Sequence, residues 1–159
     1  MLSINIPVYN IEVTALVFDL INQAEKLNIP FEIRIYDDGS QQQIKNENQK
    51  LAENLSVEYK ELAENVGRAA IRNRMGKEAK FKYLLFIDAD SKVVNENYLK
   101  TYLDAAESNC VLCGGTVYQT QKPVEPERWL RWEYGKKREA ISAEKRNSSK
   151  GFIITSNNF

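Results

Sequence analysis

Apolar positions along the chain change period several times, and each change marks a new element. Ser3 to Val8 reads as a short strand, closed by Pro7 and the turn former Asn10. Val13, Leu16, Val17, Leu20, Ile21, Ala24 and Leu27 then recur at intervals of three and four. That is the pattern of an amphipathic helix, which has to stop before Pro30. Phe31 to Tyr36 alternates apolar and polar positions as a second strand, ended in a turn by Asp37-Asp38-Gly39-Ser40. A polar helix follows, with Ile44, Leu51 and Leu55 as its sparse inner stripe, and Val57 to Leu62 is a weakly patterned third strand.

Asn65 is placed to cap a helix running to about Ala79, with Val66, Ala69, Ala70 and Asn73 on one side. Tyr83 to Ile87 is uninterruptedly apolar, which predicts a central strand covered on both faces. Tyr98, Leu99, Tyr102, Leu103 and Ala106 mark another helix, and Val111 to Tyr118 another strand. Strands alternating with helices predict an α/β fold, a three-layer α/β/α sandwich on a mainly parallel, Rossmann-like sheet. The stretch from Gln119 to Lys150 breaks the rhythm with two prolines, both tryptophans and the cations Lys136-Lys137-Arg138. It predicts a helical excursion. The chain divides accordingly into residues 1–118 and a following region 119–159 of the same domain.

Composition narrows the chemistry. A length of 159 residues suits one domain. Lys plus Arg and Asp plus Glu both number 22, so no global field draws in nucleic acid, and any phosphate site has to be local. Histidine is absent, which excludes Ser-His-Asp and Cys-His nucleophiles, His-ligated zinc and His general bases. Cys110 and Cys113 have C-x-x-C spacing but sit in an apolar run, and read as buried reduced thiols. No stretch approaches a membrane span, and the first residues enter a strand directly, so the expected location is cytoplasmic. Lys136-Lys137-Arg138 reads as a solvated helix face, with peripheral contact at the inner face of the membrane as the other reading.

In an open parallel sheet, ligands bind outside the carboxyl ends of the strands. Three strands end here in distinctive polar groups: Pro7-Val8-Tyr9-Asn10, Asp37-Asp38-Gly39-Ser40 and Asp88-Ala89-Asp90-Ser91. Asp88 and Asp90 are two apart and share a face, where like charges repel unless a cation joins them. Oxygen ligands favour Mg2+ or Mn2+, which complete their shells with water and substrate phosphates. A strand-ending turn explains the same residues without a ligand. Gly67 opens the helix after Asn65, where free N–H groups suit an anion, and Arg68 and Arg72 lie one turn apart. Taken together, the strand ends and this helix terminus point to a nucleotide site.

Ile6-Pro7-Val8-Tyr9-Asn10, Tyr36-Asp37-Asp38-Gly39-Ser40, Asn65-Val66-Gly67 through Arg72-Asn73, and Phe86-Ile87-Asp88-Ala89-Asp90 resemble, in order and spacing, the family 2 glycosyltransferases of the GT-A fold. The resemblance implies a donor site in residues 1–118. Pro7 and Tyr9 would line the nucleobase pocket, Asp38 would bind the base, commonly uracil, and Gly67, Arg68 and Arg72 would border the base or phosphates. Asp88 would hold the ribose or a metal-bound water, and Asp90 would ligate Mg2+ or Mn2+. Asn157-Asn158-Phe159, after Phe152 to Thr155, resembles the strand approaching the acceptor. Family members continue into an acidic pair that supplies the general base, so that base is expected beyond Phe159 and the chain is expected to be an N-terminal fragment.

The expected function is metal-dependent, inverting transfer of a sugar from a nucleotide diphosphate donor, a UDP-sugar, to a saccharide, lipid-linked or other hydroxyl acceptor. Trp129, Trp132 and Tyr134 offer aromatic faces for sugar rings, with core packing as the other role for the tryptophans. A non-catalytic nucleotide-binding module is the rival reading. A sugar nucleotidyltransferase expects a Gly-rich loop after the first strand, and a phosphoacceptor receiver expects paired acids there; the chain has neither.

Overall fold

Four parallel strands in the order β3-β2-β1-β4 form the frame of the molecule. In this computed structural model the described residues are 1–148 and 159. The elements run β1 (Leu2–Val8), α1 (Thr14–Lys26), β2 (Phe31–Asp37), α2 (Gln42–Gln49) and β3 (Val57–Glu61). They continue as α3 (Arg68–Glu78), β4 (Tyr83–Phe86), α4 (Tyr98–Asp104), α5 (Trp129–Tyr134) and α6 (Ala143–Asn147). The register pairs Leu2 with Phe31 and Val8 with Asp37, so β1 and β2 end level with one another. Phe152 to Thr155, Asn157 and Asn158 lie outside the described residues.

Period-2 alternation sends Leu2, Ile4, Ile6 and Val8 to one face of the sheet, with Ile33, Ile35, Val57, Leu85 and Ile87. The apolar stripe of α1 (Leu16, Val17, Leu20, Ile21 and Ala24) covers that face beside Tyr98 and Leu99 of α4. Each large aliphatic side chain so buried contributes about 1.5–3 kcal/mol. Gln23 joins the two helices: its Nε2 donates to Asn95 O at 3.0 Å, and its Oε1 accepts from Leu99 N at 3.0 Å.

The opposite face is covered by α3 through Ile71 and Met75, against Tyr36, Leu62 and Phe86. The helix therefore turns inward on a different side from the Val66, Ala69, Ala70 and Asn73 face expected, all of which are exposed. Covering this face buries the polar positions of β2. Arg34 is only 1% exposed; its Nε donates to Glu58 Oε2 at 3.2 Å, and its guanidinium also reaches Asn5 Oδ1, Met75 O and the Tyr36 hydroxyl. Tyr36 donates in turn to Glu78 Oε2 at 2.5 Å, where Lys60 Nζ also arrives at 2.7 Å.

Hydrogen bonds from Lys60, Tyr36 and Arg74 hold the Glu78 carboxyl at about 2, below its ordinary value of 4.5. A depressed folded value stabilises the fold above pH 4.5, and that contribution disappears as pH falls toward about 2. Urea midpoints measured through this window should fall, and Glu78→Gln should make the fall shallower. Identical slopes in the two proteins would remove Glu78 from the acid response.

Several expectations change. β4 takes the outer position among the described strands, and Leu84 is 37% exposed. Its apolar character suits a cavity of about 700 Å3 beside that edge, lined in part by Leu84, Leu103, Ala106, Val111 and Leu112. Phe159 pairs with β4 there, exchanging both backbone hydrogen bonds with Phe86 and stacking on its ring at 5.1 Å. Residues 111–118 form no regular strand, Cys110 is exposed and Cys113 half-buried, and Leu55 is fully exposed. Beyond them, 126–139 and 143–147 are helical, as expected of the excursion.

Candidate functional site

Strand ends converge because backbone and side-chain bonds tie their loops together. Asp38 N donates to Val8 O at 2.8 Å, which joins the ends of β1 and β2. Asn10, with φ of 55°, donates its N–H to Ser40 Oγ at 2.8 Å, and its Oδ1 accepts from Gln41 N at 2.7 Å. Buried Asn48 of α2 clamps the same loop, accepting from Val13 N at 3.0 Å and donating to Ile11 O at 2.9 Å. Beside these ties Tyr9 is 53% exposed and Pro7 is half-buried.

The acidic turn after β2 divides its labour. Asp37 Oδ1 accepts from Gly39 N at 3.0 Å and Ser40 N at 2.7 Å, closing the turn on itself. Gly39 has φ of +87°, and a Cβ on it would stand 3.2 Å from Asn65 N. Asp38 reaches the other way: Oδ1 accepts from Val66 N at 2.7 Å and Oδ2 from Gly67 N at 3.0 Å. This carboxylate holds the loop that leads into α3. The N-cap is accordingly Gly67 and not Asn65, because a chain turned by Asp38 enters the helix through a residue with φ of +85°. The first amides of α3, which have no partner within the helix, follow directly on the loop that Asp38 holds.

Arg72, one turn into α3, donates from Nη2 to Asp88 Oδ1. Both side chains are mostly buried. Burial pushes the Asp88 carboxyl above the usual aspartate value; the Arg72 guanidinium opposes that, and the Asp90 charge adds to it. Arg68 also pulls Asp88 downward, so its charge reaches the same point. Asp90 is exposed, and no hydrogen bond or ion pair to a described residue holds it. No set of three His, Cys, Asp or Glu among the described residues forms a ready-made metal cage. Two oxygen donors with open space beside them fit a divalent cation that takes its remaining ligands from phosphate and water.

Most of the residues singled out in the sequence therefore meet: Asp38 with Gly67, Arg72 with Asp88, and Arg68 and Asp90 within electrostatic reach of Asp88. The sequence reading missed a neighbouring cluster. Tyr118 donates to Glu139, whose other oxygen accepts from Arg131 Nη1 at 2.6 Å, and the Asp90 charge reaches the Tyr118 hydroxyl. Gly135 passes directly beneath Tyr118, where a Cβ would stand 2.0 Å from the ring. Only the glycine in an otherwise helical stretch hinted at this contact. Ser40 and Asn48 left no signal, since their neighbours are equally polar. Trp129 and Trp132 stand at the edge of this region, each under a lysine: Lys122 Nζ lies 3.4 Å from the Trp129 ring and Lys136 Nζ 4.5 Å from that of Trp132.

The family model described as glycosyl transferase family 2 matches residues 3–157. No curated protein matches the chain. Among solved structures, S. aureus TarS 1-349 in complex with UDP is similar at 28% identity and a TM-score of 0.54, over 65% of this chain and 31% of that one. The mannosyltransferase PcManGT from Pyrobaculum calidifontis, in complex with GDP-Man and Mn2+, shares the fold. Its identity is 20% and its TM-score 0.57, over 74% of this chain and 35% of that one. The chain spans about a third of the length of either structure.

Proposed function

The chain belongs to glycosyl transferase family 2, and from that membership we propose that it is the donor-binding portion of a metal-dependent, inverting glycosyltransferase. The donor is a nucleotide diphosphate sugar, a UDP-sugar, and the acceptor is a saccharide, lipid-linked or other hydroxyl. One observation carries the reading: Asp88, paired with Arg72 at the mouth of α3, lies beside an open Asp90 at the end of β4. A carboxylate pair, cationic side chains and free helix amides thus face one space, as a metal-bridged diphosphate requires.

In this reading Tyr9 stacks on the nucleobase above Pro7, and Asp38 serves the base edge while fixing the Gly67 loop. Asp90 holds Mg2+ or Mn2+, and Asp88 holds the ribose or a metal-bound water. A bound cation supplies positive charge against the diphosphate as the glycosidic bond breaks. Arg68, Arg72 and the first amides of α3 stabilise the same leaving charge. Residues 1–118 form the donor part, and 119–159 begin the acceptor side, where Trp129, Trp132 and Tyr134 offer sugar-binding faces.

Glu139 does not suit the role of general base. Hydrogen bonds from Arg131 and then Tyr118 hold its carboxyl below the usual glutamate value, whereas a base working near neutrality needs a raised one. The acceptor proton therefore goes to a carboxylate other than Glu139. Among the described residues no helix is long and apolar enough to cross a membrane. Free Cys110 and Cys113 suit a reducing, cytoplasmic setting.

Calorimetric titration with UDP, with and without Mn2+, tests the proposal. Saturable binding that tightens with Mn2+ supports it; equal or absent binding in both would sink the donor-site assignment. Binding without transfer from a UDP-sugar would favour a nucleotide-binding module.

A further inference from the structure

The ion pair between Arg72 and Asp88 sets two roles of the same site against each other. Asp88 cannot give its full charge to a cation while a guanidinium rests on it, and Arg72 cannot serve a diphosphate while it serves Asp88. Arg72 also carries an unused donor: its Nε is buried without a hydrogen-bond partner among the described residues. Buried N–H groups in native proteins are overwhelmingly paired, so an unpaired one at a ligand site marks a missing acceptor. Its Nη1 makes only a 3.4 Å contact to the Arg68 carbonyl, one turn back along α3. The guanidinium is thus weakly held on every side except toward Asp88.

We propose, resting on the donor-site reading above, that Arg72 is an exchangeable partner of Asp88 that couples cation binding to nucleotide binding. Without ligand, Arg72 neutralises Asp88 and lowers the affinity of the site for a free divalent cation. When cation and diphosphate arrive together, Asp88 passes from Arg72 to a metal-bound water, and the released guanidinium turns its fork and its unpaired Nε to the phosphate oxygens. A planar guanidinium suits the exchange because it meets carboxylate and phosphate with the same geometry. The site consequently discriminates against cation alone and nucleotide alone.

The test separates this exchange from a simple field effect. Mn2+ is titrated into the protein without nucleotide and followed by the paramagnetic resonance of the free ion; UDP is then titrated in saturating Mn2+. Arg72→Gln is expected to tighten binding of Mn2+ alone by about threefold to tenfold. The same variant is expected to weaken UDP binding in saturating Mn2+ by about tenfold. Arg68→Gln removes an equal charge from the same helix without breaking a pair to Asp88. It should tighten binding of Mn2+ alone by clearly less than Arg72→Gln does, since its charge acts on Asp88 only through space. Equal tightening in both variants overturns the exchange, since proximity of positive charge would then explain it. Unchanged or weaker Mn2+ binding in Arg72→Gln overturns it too, making Arg72 a support for Asp88.

Thermal unfolding checks that α3 persists. Should Arg72→Gln fail to fold, Arg72→Lys decides: it keeps the charge but lacks the fork, so a smaller tightening is expected and none would count against the exchange. Failure of the underlying reading looks different. If the unaltered protein binds no UDP with Mn2+, the donor-site assignment falls; if it binds and the Arg72 variants do not respond with opposite signs, only the exchange falls.

Discussion

Asp90→Ala is expected to abolish the metal-dependent part of nucleotide binding. In saturating Mn2+ the affinity for UDP should drop by about 100-fold or more, since groups that merely support a metal ligand already contribute about 10–100-fold. The side chain is exposed and no described residue bonds to it, so folding does not depend on it. Stability should move by no more than about 0.5 kcal/mol, as for other surface changes. The substitution also removes the like charge that helps push Asp88 upward. Any residual binding therefore reports on Asp88, Arg68 and Arg72 acting without a cation. An unchanged difference between titrations with and without Mn2+ would leave Asp88-Ala89-Asp90 as a strand-ending turn.

Arg34→Ala is expected to be the most damaging single change to the fold, at about 3–5 kcal/mol, the usual cost of breaking a buried charge network by removing one partner. Arg34 is almost wholly buried between β2 and α3 and joins Asn5, Glu58, Tyr36 and the Met75 carbonyl. Its loss leaves a cavity and strands buried acceptors, the Asn5 amide oxygen and the Met75 carbonyl, with no donor in place. Arg34→Met refills much of the volume, and Glu58 and Glu78 are near enough to solvent to find water. That variant should recover part of the loss. Chemical denaturation measures both; a cost below about 1 kcal/mol for alanine would place Arg34 among ordinary surface ion pairs. Because Met75 lies on α3, the alanine variant should also loosen the helix that presents Arg68 and Arg72.

Elements with a strong local period were legible from residue types alone. The α1 stripe is the clearest case: Leu16, Val17, Leu20, Ile21 and Ala24 were expected inside and are inside. α3 shows where such reading fails. Its residues are so evenly polar that no stripe stands out, and its inner face is Ile71 and Met75 because those positions meet Tyr36 and Phe86 across the sheet. The apolar run of β4 suggested a central position; among the described strands it lies outermost, with Phe159 paired to its far edge. Residues 111–118 have strand-like composition, yet no described neighbour pairs with them, and composition cannot supply a partner.

For the site, the distinction is between having the groups and joining them. Tyr9, Asp38, Gly67, Arg68, Arg72, Asp88 and Asp90 could be named from the chain, because strands that end in acids and a glycine that opens a helix are local features. Local chemistry also determined the excluded classes, since a chain without histidine cannot run histidine chemistry in any fold. Tertiary structure decided the contacts. Asp38 binds the amides of Val66 and Gly67, 28 and 29 residues onward, and Arg72 meets Asp88 across 16 residues. Tyr118 comes to sit over Gly135 and beside Glu139 in the same way. Such pairings depend on which strand lies beside which and on how far each helix turns, and both follow from minimising exposed apolar surface over the whole chain. That sum has no local signature in the sequence.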